Sequence, residues 1–211
     1  MTETKMGLRE LKKAQTRENI SHNATRLFLE RGFDNVTIAD VAAAAQVAKM
    51  TVTNYFPRKE DLALDLHDVF VGMLARTVRE REPGESALAA LRRAFLAAVA
   101  AHDAVIGFSG EPFARMITES PALVARLREF HDEREAVLAE ALAEETGAGP
   151  EDMRPKVAAA LLGGVHQVLF EETLRRTIAG RTHEEIAAAL APAAEEAFGL
   201  LEPSLGGYAI R

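Results

Sequence analysis

Residues 37–62, TIADVAAAAQVAKMTVTNYFPRKEDL, decide how the first part of this chain folds. Thr37 and Asp40 have the spacing of a capping box: Thr37 accepts a hydrogen bond from the backbone of the helix it opens, and Asp40 favours the positive end of that helix. The turn around Gln46 and the proline Pro57, which cannot continue a helix, divide the stretch into two short helices. Helices this short are unstable alone. We therefore expect both to pack against a third element.

A long helix directly upstream, from about Leu8 to Arg31, supplies that element. One face of it is apolar at helical spacing and consists of Ile20, Ala24, Leu27 and Phe28. Packing the apolar side of the last short helix on this face turns its other side outward, namely Lys49, Met50, Thr51, Thr53 and Asn54. These side chains suit the base edges of a DNA major groove. A surface-exposed helical hairpin in an ordinary bundle is the alternative interpretation.

The same region resembles the DNA-binding domain of the TetR family of transcriptional regulators. The resemblance is carried by ATRLF at 24–28, RGFD at 31–34, TIADVA at 37–42 and VAKMTVTNYFPRKEDL at 47–62, in the family's order and spacing. It implies an all-α protein with a three-helix helix-turn-helix domain over residues 1–57 and a helical ligand-binding and dimerisation domain over residues 58–202. Residues 203–211 are expected to form a loose tail, and the chain to hold about nine helices.

The resemblance also implies roles for individual residues. It places Lys49, Met50, Thr51 and Asn54 in the groove, and Thr37, Tyr55 and Lys59 on phosphates. The ammonium of Lys59 would join unpaired backbone amides at a helix start, where anions bind. Upstream, Arg9, Lys12, Lys13 and Arg17 could reach the DNA backbone or minor groove, or could form a solvated charged face.

Three residues depart from the family's pattern. Gln46 stands where the family usually has glycine in the turn, and Ala48 where it usually has serine capping the recognition helix. Each of these two departures is expected to cost about 1 kcal/mol. Thr53 replaces a common tyrosine, which puts one phosphate contact in doubt.

Charge is unevenly distributed along the chain, whose net charge is −7. Residues 1–60 hold ten Lys and Arg against seven Asp and Glu, whereas residues 61–211 hold fifteen against twenty-five. Phosphate binding needs a local cationic face rather than a basic chain, so the excess of cations near the N-terminus is compatible with DNA binding.

The remaining two thirds of the chain predict further helices, at about 58–79, 86–101, 113–119, 120–145, 152–178 and 182–200. Their apolar residues, ten phenylalanines in the whole chain among them, form either ordinary core or the walls of an effector cavity. The resemblance favours a cavity, and therefore a largely apolar effector with a polar end. Candidate pocket residues are Phe70, Met73, Phe95, Val99, His102, Phe108, Phe113, Met116, Phe130, His131, Arg134, His166 and Gln167.

The last two long helices are expected to form the dimer interface. Gly163 and Gly164 weaken a helix, a cost that is tolerable where another helix must approach closely. The proposed interface residues are Leu161, Gly164, Val165, Val168, Ile186, Leu190, Ala194, Ala197 and Phe198. The closing AFGLLEP at 197–203 resembles the tail of an actinobacterial-style subgroup, some of whose members are linked to acyl-CoA sensing.

Several classes of protein are disfavoured. No nucleophile–base pair, phosphate-binding loop or HExxH motif occurs, so we expect no enzyme and no cofactor. His131 and Glu135 have a spacing that could hold a metal, but neighbouring acidic residues favour a solvated face, and we expect no metal. The absence of cysteine, of a signal peptide and of a membrane-length apolar run predicts a cytoplasmic protein.

Together these patterns predict a homodimeric repressor that leaves a palindromic operator in double-stranded DNA when a small effector binds. The helix at 58–79 would link the effector pocket to the DNA-binding domain. Two alternatives stay open. The fold could serve as a protein-interaction module without DNA binding, or the chain could be a small helical enzyme whose active site includes His102 or His131.

Overall fold

The structure, a computed structural model, describes residues 7–211, and in this part of the chain it is all α-helical. Its helices are α1 (Leu8–Arg31), α2 (Ile38–Ala44), α3 (Lys49–Tyr55), α4 (Lys59–Ala63), α5 (His67–Glu80), α6 (Ala87–Ala100), α7 (Glu111–Glu119), α8 (Pro121–Thr146), α9 (Arg154–Ile178), α10 (His183–Gly199) and α11 (Glu202–Leu205), with a 3₁₀ turn at Ala104–Ile106. The all-α prediction is confirmed. None of the described helices is long and apolar enough to span a bilayer.

The chain divides into two compact units at Asp65 rather than at residue 57. Among the described residues, the first unit contains 7–65 together with Met116–Arg126, so the end of α7 and the start of α8 belong to it. Its core is made by α1 to α4 and one leucine of α8, with Ile20, Ala24, Leu27, Phe28, Phe33, Val36, Val41, Ala42, Ala45, Val52, Phe56, Leu62, Ala63 and Leu123 buried together.

Local sequence explains how the short helices of this unit begin. Thr37 accepts a hydrogen bond from the backbone N–H of Asp40, and the Asp40 carboxylate accepts one from the backbone N–H of Thr37, which confirms the capping box. Val52 of α3 and the following Phe56 are fully buried. These two residues anchor α3 in the core that also contains the apolar face of α1, as the apolar spacing predicts.

The prediction of one continuous helix over residues 58–79 is wrong, because the helix is interrupted between α4 and α5. Leu64 has a non-helical backbone, with φ −105 and ψ 54. Two side chains of α1 hold the interruption: Arg17 donates to the carbonyl of Asp65 at 2.8 Å, and the Ser21 hydroxyl donates to the Asp65 carboxylate. These tertiary hydrogen bonds outweigh a local sequence, LALDL, that favours continuous helix.

The second unit contains Leu66–Arg115 and Leu127–Arg211. In it, α10 packs against α6 and α9, and α5 packs against α6. A second capping box opens α10, where Thr182 accepts from the backbone N–H of Glu185, as its spacing predicts. The core of this unit runs along α6, α9 and α10 and includes Leu91, Phe95, Leu162, Leu190 and Phe198.

The end of the chain is folded, in contrast to the loose tail expected over residues 203–211. After α11, the backbone of Arg211 exchanges hydrogen bonds with Gly84 and Glu85. The buried Arg81 donates from Nε to the carbonyl of Ala209 at 3.0 Å and from Nη1 to Glu145. A buried guanidinium needs such partners, and the chain terminus supplies one of them. The tail is therefore part of the second unit.

Candidate DNA-binding surface and effector site

The outward face of α3 carries the side chains predicted to contact DNA. Lys49, Met50 and Asn54 are exposed, Met50 to 70% of its surface, and Thr51, Thr53 and Tyr55 are half-buried. The opposite face is fixed by Val52 in the core of the first unit. A rigid helix with one buried and one polar exposed face can present side chains to a groove without reordering.

Two of the predicted contact residues have hydroxyl groups that are already engaged. The hydroxyl of Thr37 donates to the Asp40 carboxylate at 2.5 Å, and these hydrogen bonds also lower the pKa of Asp40. The Thr53 hydroxyl donates to the carbonyl of Met50 at 3.1 Å, within its own helix. A phosphate contact by either hydroxyl would therefore have to replace an existing hydrogen bond.

Lys59 occupies the first position of α4, where the resemblance implies a phosphate contact. Its ammonium lies 4.2 Å from the ring centroid of Phe33, which restricts the side chain by a cation–π contact. Asp61 fixes the start of the same helix, since its carboxylate accepts from the backbone N–H of Arg58 at 3.1 Å and from Nε of Arg126, on α8, at 2.8 Å. The position of Lys59 thus depends on an ion pair with α8.

The four cations predicted on α1 fall into two groups. Arg9, Lys12 and Lys13 are exposed. Arg17 is instead directed into the first unit, where its guanidinium lies 4.5 Å from the ring centroid of Phe56 in addition to its hydrogen bond with Asp65. Arg17 therefore has a structural role in closing this unit, which its charge and spacing alone do not show.

The departures from the family's pattern have the local consequences expected of them. Gln46 takes a positive φ of 56°, the left-handed conformation that glycine adopts without steric cost. Ala48 is the N-cap of α3 and gives it no side-chain hydrogen bond. The turn of the helix-turn-helix is thus formed by two residues that are suboptimal for it, while the packing of Val52 and Phe56 holds its geometry.

Most of the predicted pocket residues lie in the second unit, where their rings form separate clusters. The ring of Phe70 contacts the rings of Phe130, His131 and Phe170. Phe95 contacts His166 and Phe198. His102 stacks on Phe108, and both contact His183. Val99 is buried in the same core as Phe95, and Met73 packs on it, while Phe113 is half-buried.

Two residues of the predicted pocket do not belong to these clusters. Met116 packs against the core of the first unit, because the chain enters that unit at this residue. Gln167 is only half-buried, and its amide donates to Glu171 at 3.0 Å, one turn along α9. The helix periodicity turns Gln167 away from the buried side, on which its neighbour His166 lies.

Arg134 is the most unusual member of the set. It is 3% exposed, and its Nη2 donates to Nδ1 of His131 at 2.8 Å, while its guanidinium carbon lies 4.5 Å from the ring centroid of Phe70. Burial and the charge of Arg134 lower the pKa of His131 to about 3, and they also lower the pKa of the fully buried His166. Both histidines are therefore neutral at physiological pH.

The predicted dimer interface is half wrong. Ile186, Leu190, Ala194 and Phe198 are fully buried against their own chain, because the apolar stripe of α10 faces α6 and α9. These four residues cannot meet a partner. The predicted α9 residues are more accessible: Leu161 and Val168 are 41% and 63% exposed, Gly164 is exposed, and Val165 is half-buried. Ala197 of α10 is also half-buried.

An apolar stripe along α9 extends beyond the predicted residues. We define the α9 stripe as Met153, Val157, Leu161, Gly164 and Val168, all exposed at helical spacing. A Cβ added at Gly164 would meet no atom within 4 Å. Exposed apolar surface of this kind on a regular helix is typical of a surface that another helix covers.

Sequence reasoning missed some residues that complete these sites. Phe170 contacts Phe70 and His131, and its position one turn after the buried His166 is a signal that periodicity could have used. Nε2 of His67 donates to the Glu133 carboxylate at 2.7 Å, and the His67 ring makes an edge contact with Phe130. The Asp61–Arg126 pair, in contrast, joins residues that are distant in sequence, and no local pattern indicates it.

Known proteins share both parts of this architecture. Residues 20–66 match the family model described as bacterial regulatory proteins, tetR family, and residues 85–205 match the MftR C-terminal domain. The transcriptional regulator TcmR of Streptomyces glaucescens is 28% identical over 94% of this chain and 88% of its own length. The transcriptional repressor DhaR of Mycobacterium sp. (strain GP1) is 34% identical over 29% of this chain and 31% of its own length.

A solved structure shows the same fold at lower sequence identity. It is a TetR-family regulator from Syntrophomonas wolfei str. Goettingen, 20% identical, with a TM-score of 0.57 over 90% of this chain and 98% of its own. The helix-turn-helix match lies on α1 to α4, and the C-terminal match spans α6 to α11. The chain belongs to the TetR family: it is a DNA-binding transcriptional regulator, not an enzyme, with a C-terminal domain of the MftR type.

Proposed function

We propose that this regulator is a homodimeric repressor that leaves a palindromic operator when a small, largely apolar effector binds to its second unit. The single observation that carries the proposal is the geometry of α3, which is anchored by Val52 while Lys49, Met50 and Asn54 stand outward. Two copies of this helix would enter successive major grooves about 34 Å apart.

Dimerisation is supported by the α9 stripe. Its larger side chains are exposed to between 41% and 63% of their surface, and burying them against the same stripe of a second copy would remove apolar surface from water on both chains. Gly164 would allow the two helix backbones to approach closely. Because the apolar face of α10 is buried against its own chain, we assign the interface to the α9 stripe.

Effector binding is supported by the aromatic and histidine clusters of the second unit. Rings of Phe70, Phe95 and Phe130 are buried there beside His131 and His166. Apolar walls with a few polar groups are the usual composition of a small-molecule site.

The helix α8 offers a route for coupling, in place of the continuous helix expected over residues 58–79. It contributes Arg126 to the first unit and Arg134 to the second. Arg126 pairs with Asp61 at the start of α4, next to Lys59. A displacement of α8 on effector binding would strain this ion pair and change the DNA-binding unit. Release requires that the effector binds the DNA-incompetent form more tightly.

The proposal is tested by selecting binding sites from fragmented genomic DNA of the source organism with the full-length protein. Fragments that share an inverted repeat, with half-sites about one helical turn apart, should be enriched. The variant Asn54→Ala should lose this enrichment. Equal enrichment by the variant, or none by the wild type, would favour a protein-interaction role for the same fold. Native mass spectrometry of the purified dimer would identify an effector carried through purification.

A further inference from the structure

The second unit contains a buried cation that no carboxylate of residues 7–211 neutralises. Arg134, on α8, has two contacts among the described residues: the hydrogen bond to Nδ1 of His131 and the ring of Phe70. Its Nε is buried and has no hydrogen-bond partner. Burial lowers the pKa of Arg134 to about 10, so the group remains charged at physiological pH.

His131 cannot balance this charge. Arginine only donates hydrogen bonds, so Nδ1 of His131 must accept, and the ring must be neutral with its proton on Nε2. A second neutral histidine, His166, lies one helical turn before Phe170, whose ring contacts both Phe70 and His131. Burial and, after it, the charge of Arg134 depress the pKa of His166. Nε2 of His166 is also buried without a partner. The region therefore has two unsatisfied nitrogen atoms and one uncompensated positive charge.

A purely structural arginine in this unit is arranged differently. Arg81 is equally buried, at 1% exposure, and its Nη2 likewise has no hydrogen-bond partner. Its charge, however, faces the Glu145 carboxylate at 2.7 Å, and two backbone carbonyls accept from it. The difference between the two arginines is therefore the carboxylate. An uncompensated buried charge is costly. Its persistence at Arg134 suggests that something outside the chain completes the site.

The surroundings of Arg134 and His166 are aromatic. Phe70 contacts Phe130 and Phe170 as well as the guanidinium, and His166 lies between Phe95 and Phe198, with ring centroids at 5.3 and 5.4 Å. A ligand bound here would place its apolar part among these rings.

We propose that the effector is an organic carboxylate, whose anionic group is held by Arg134 and His166 and whose apolar body lies among the surrounding phenylalanine rings. This inference rests on the proposed function, because it names the chemical class of the effector. One guanidinium beside two neutral histidines supplies a single positive charge, which matches a carboxylate rather than a doubly charged phosphate. Arginine also binds a carboxylate through two parallel hydrogen bonds.

The test compares carboxylates with neutral analogues of the same shape. Full-length wild-type protein is titrated calorimetrically with 2-naphthoate and decanoate and with their primary amides. At least one carboxylate should bind about tenfold or more tightly than its amide, because a charge-assisted hydrogen bond is stronger than a neutral one. Arg134→Met should abolish this preference, and Arg134→Lys should retain part of it. Arg128→Met, at an exposed position of the same helix, should leave it unchanged.

Three results would overturn the inference. The wild-type protein could bind acids and amides with equal affinity, it could bind none of the acids, or Arg134→Met could keep the preference for acids. DNA binding measured on the same preparations separates the two proposals. Intact DNA binding without a carboxylate preference removes only the effector class. If the wild-type protein prefers carboxylates but selects no DNA, the proposed repressor function is wrong and the proposed carboxylate site is retained.

Discussion

Nη2 of Arg134 lies 2.8 Å from Nδ1 of His131, and both side chains are buried in the second unit. The contact satisfies one donor of the guanidinium but contributes no negative charge. The unliganded protein therefore carries an uncompensated cation in its interior, with a neutral histidine as its neighbour. A group retained at such a cost affects stability in ways that can be measured without knowing the effector.

Replacing Arg134 by methionine should stabilise the unliganded protein. The change removes the desolvation cost of a buried charge and keeps most of the apolar volume, and we expect a gain of about 1–3 kcal/mol in the free energy of unfolding. Urea denaturation of wild type and Arg134→Met measures the difference. Arg128→Met, at an exposed position of the same helix, serves as the control and should change stability by less than about 0.5 kcal/mol. A strongly destabilised Arg134→Met would contradict the uncompensated charge.

Stability should decrease as the solution becomes acidic. Burial and the charge of Arg134 depress the folded-state pKa of His131 to about 3, and they depress that of His166 as well. The unfolded chain takes up these protons near pH 6.5, so stability is fully present above this pH and is lost as the pH falls towards 3. Each such histidine contributes a slope of about 1.4 kcal/mol per pH unit.

One partly buried group acts in the opposite direction. Partial burial alone would lower the pKa of His67, but hydrogen bonds with Asp68 and Glu133 raise it overall. Its contribution is present below pH 6.5 and is lost as the pH rises through the folded-state value. Because His67 is half exposed, this contribution to stability is small.

Denaturation of wild type and His166→Met at pH 6.5, 5.5 and 4.5 measures the contribution of the buried histidine. The slope of the free energy of unfolding against pH should be smaller in the variant by about 1.4 kcal/mol per pH unit. Equal slopes would be incompatible with a buried neutral His166.

The turn between α2 and α3 should be improved by glycine. Gln46 has a φ of 56°, a conformation that costs a residue with a Cβ about 1–2 kcal/mol, of which the greater freedom of glycine in the unfolded chain cancels part. Gln46→Gly should therefore raise the free energy of unfolding of the protein by about 0.5–1 kcal/mol, and thermal denaturation measures it. Gln46→Ala, which keeps the Cβ, should bring no such gain. A loss of stability in Gln46→Gly would show that the glutamine side chain has a role of its own.

Local patterns predicted the elements that local interactions determine. The capping boxes at Thr37 and Thr182 and the limits of α1, α6 and α9 follow from short-range hydrogen bonds and periodicity, and they are confirmed to within two residues of the predicted ends. The interruption at Leu64–Leu66 was not predictable, because hydrogen bonds from α1 to Asp65 create it.

The candidate sites show the same limit. The outward face of α3 follows from the spacing of Val52 and Phe56. The apolar stripe of α10 was equally visible, but periodicity does not say whether a stripe faces its own chain or a partner, and here it faces α6 and α9. The sequence does not indicate that Arg134 is buried without a carboxylate partner. Asp132 and Glu133, between His131 and Arg134 in the sequence, predict a solvated face instead.

An acidic substitution in the α9 stripe should dissociate the dimer. Val168→Asp would place a charge in the proposed interface, where it costs several kcal/mol when no partner neutralises it. Analytical ultracentrifugation should show wild type as a dimer and Val168→Asp shifted to monomer at the same concentration. Val69→Asp, at a position of α5 exposed to 42% of its surface, is the control and should remain dimeric. A wild-type monomer, or an unchanged dimer in Val168→Asp, would contradict the assigned interface.

Affinity for the selected operator as a function of salt concentration tests the central claim most directly. Fluorescence anisotropy should show that wild type prefers the operator over a scrambled duplex, with an affinity that falls steeply as salt rises. Lys59→Ala should reduce the slope of log affinity against log salt by about 0.9, whereas Lys156→Ala, exposed on α9, should leave it unchanged. Wild-type affinity that shows neither sequence preference nor salt dependence would contradict the assignment of α3 and Lys59 to DNA binding.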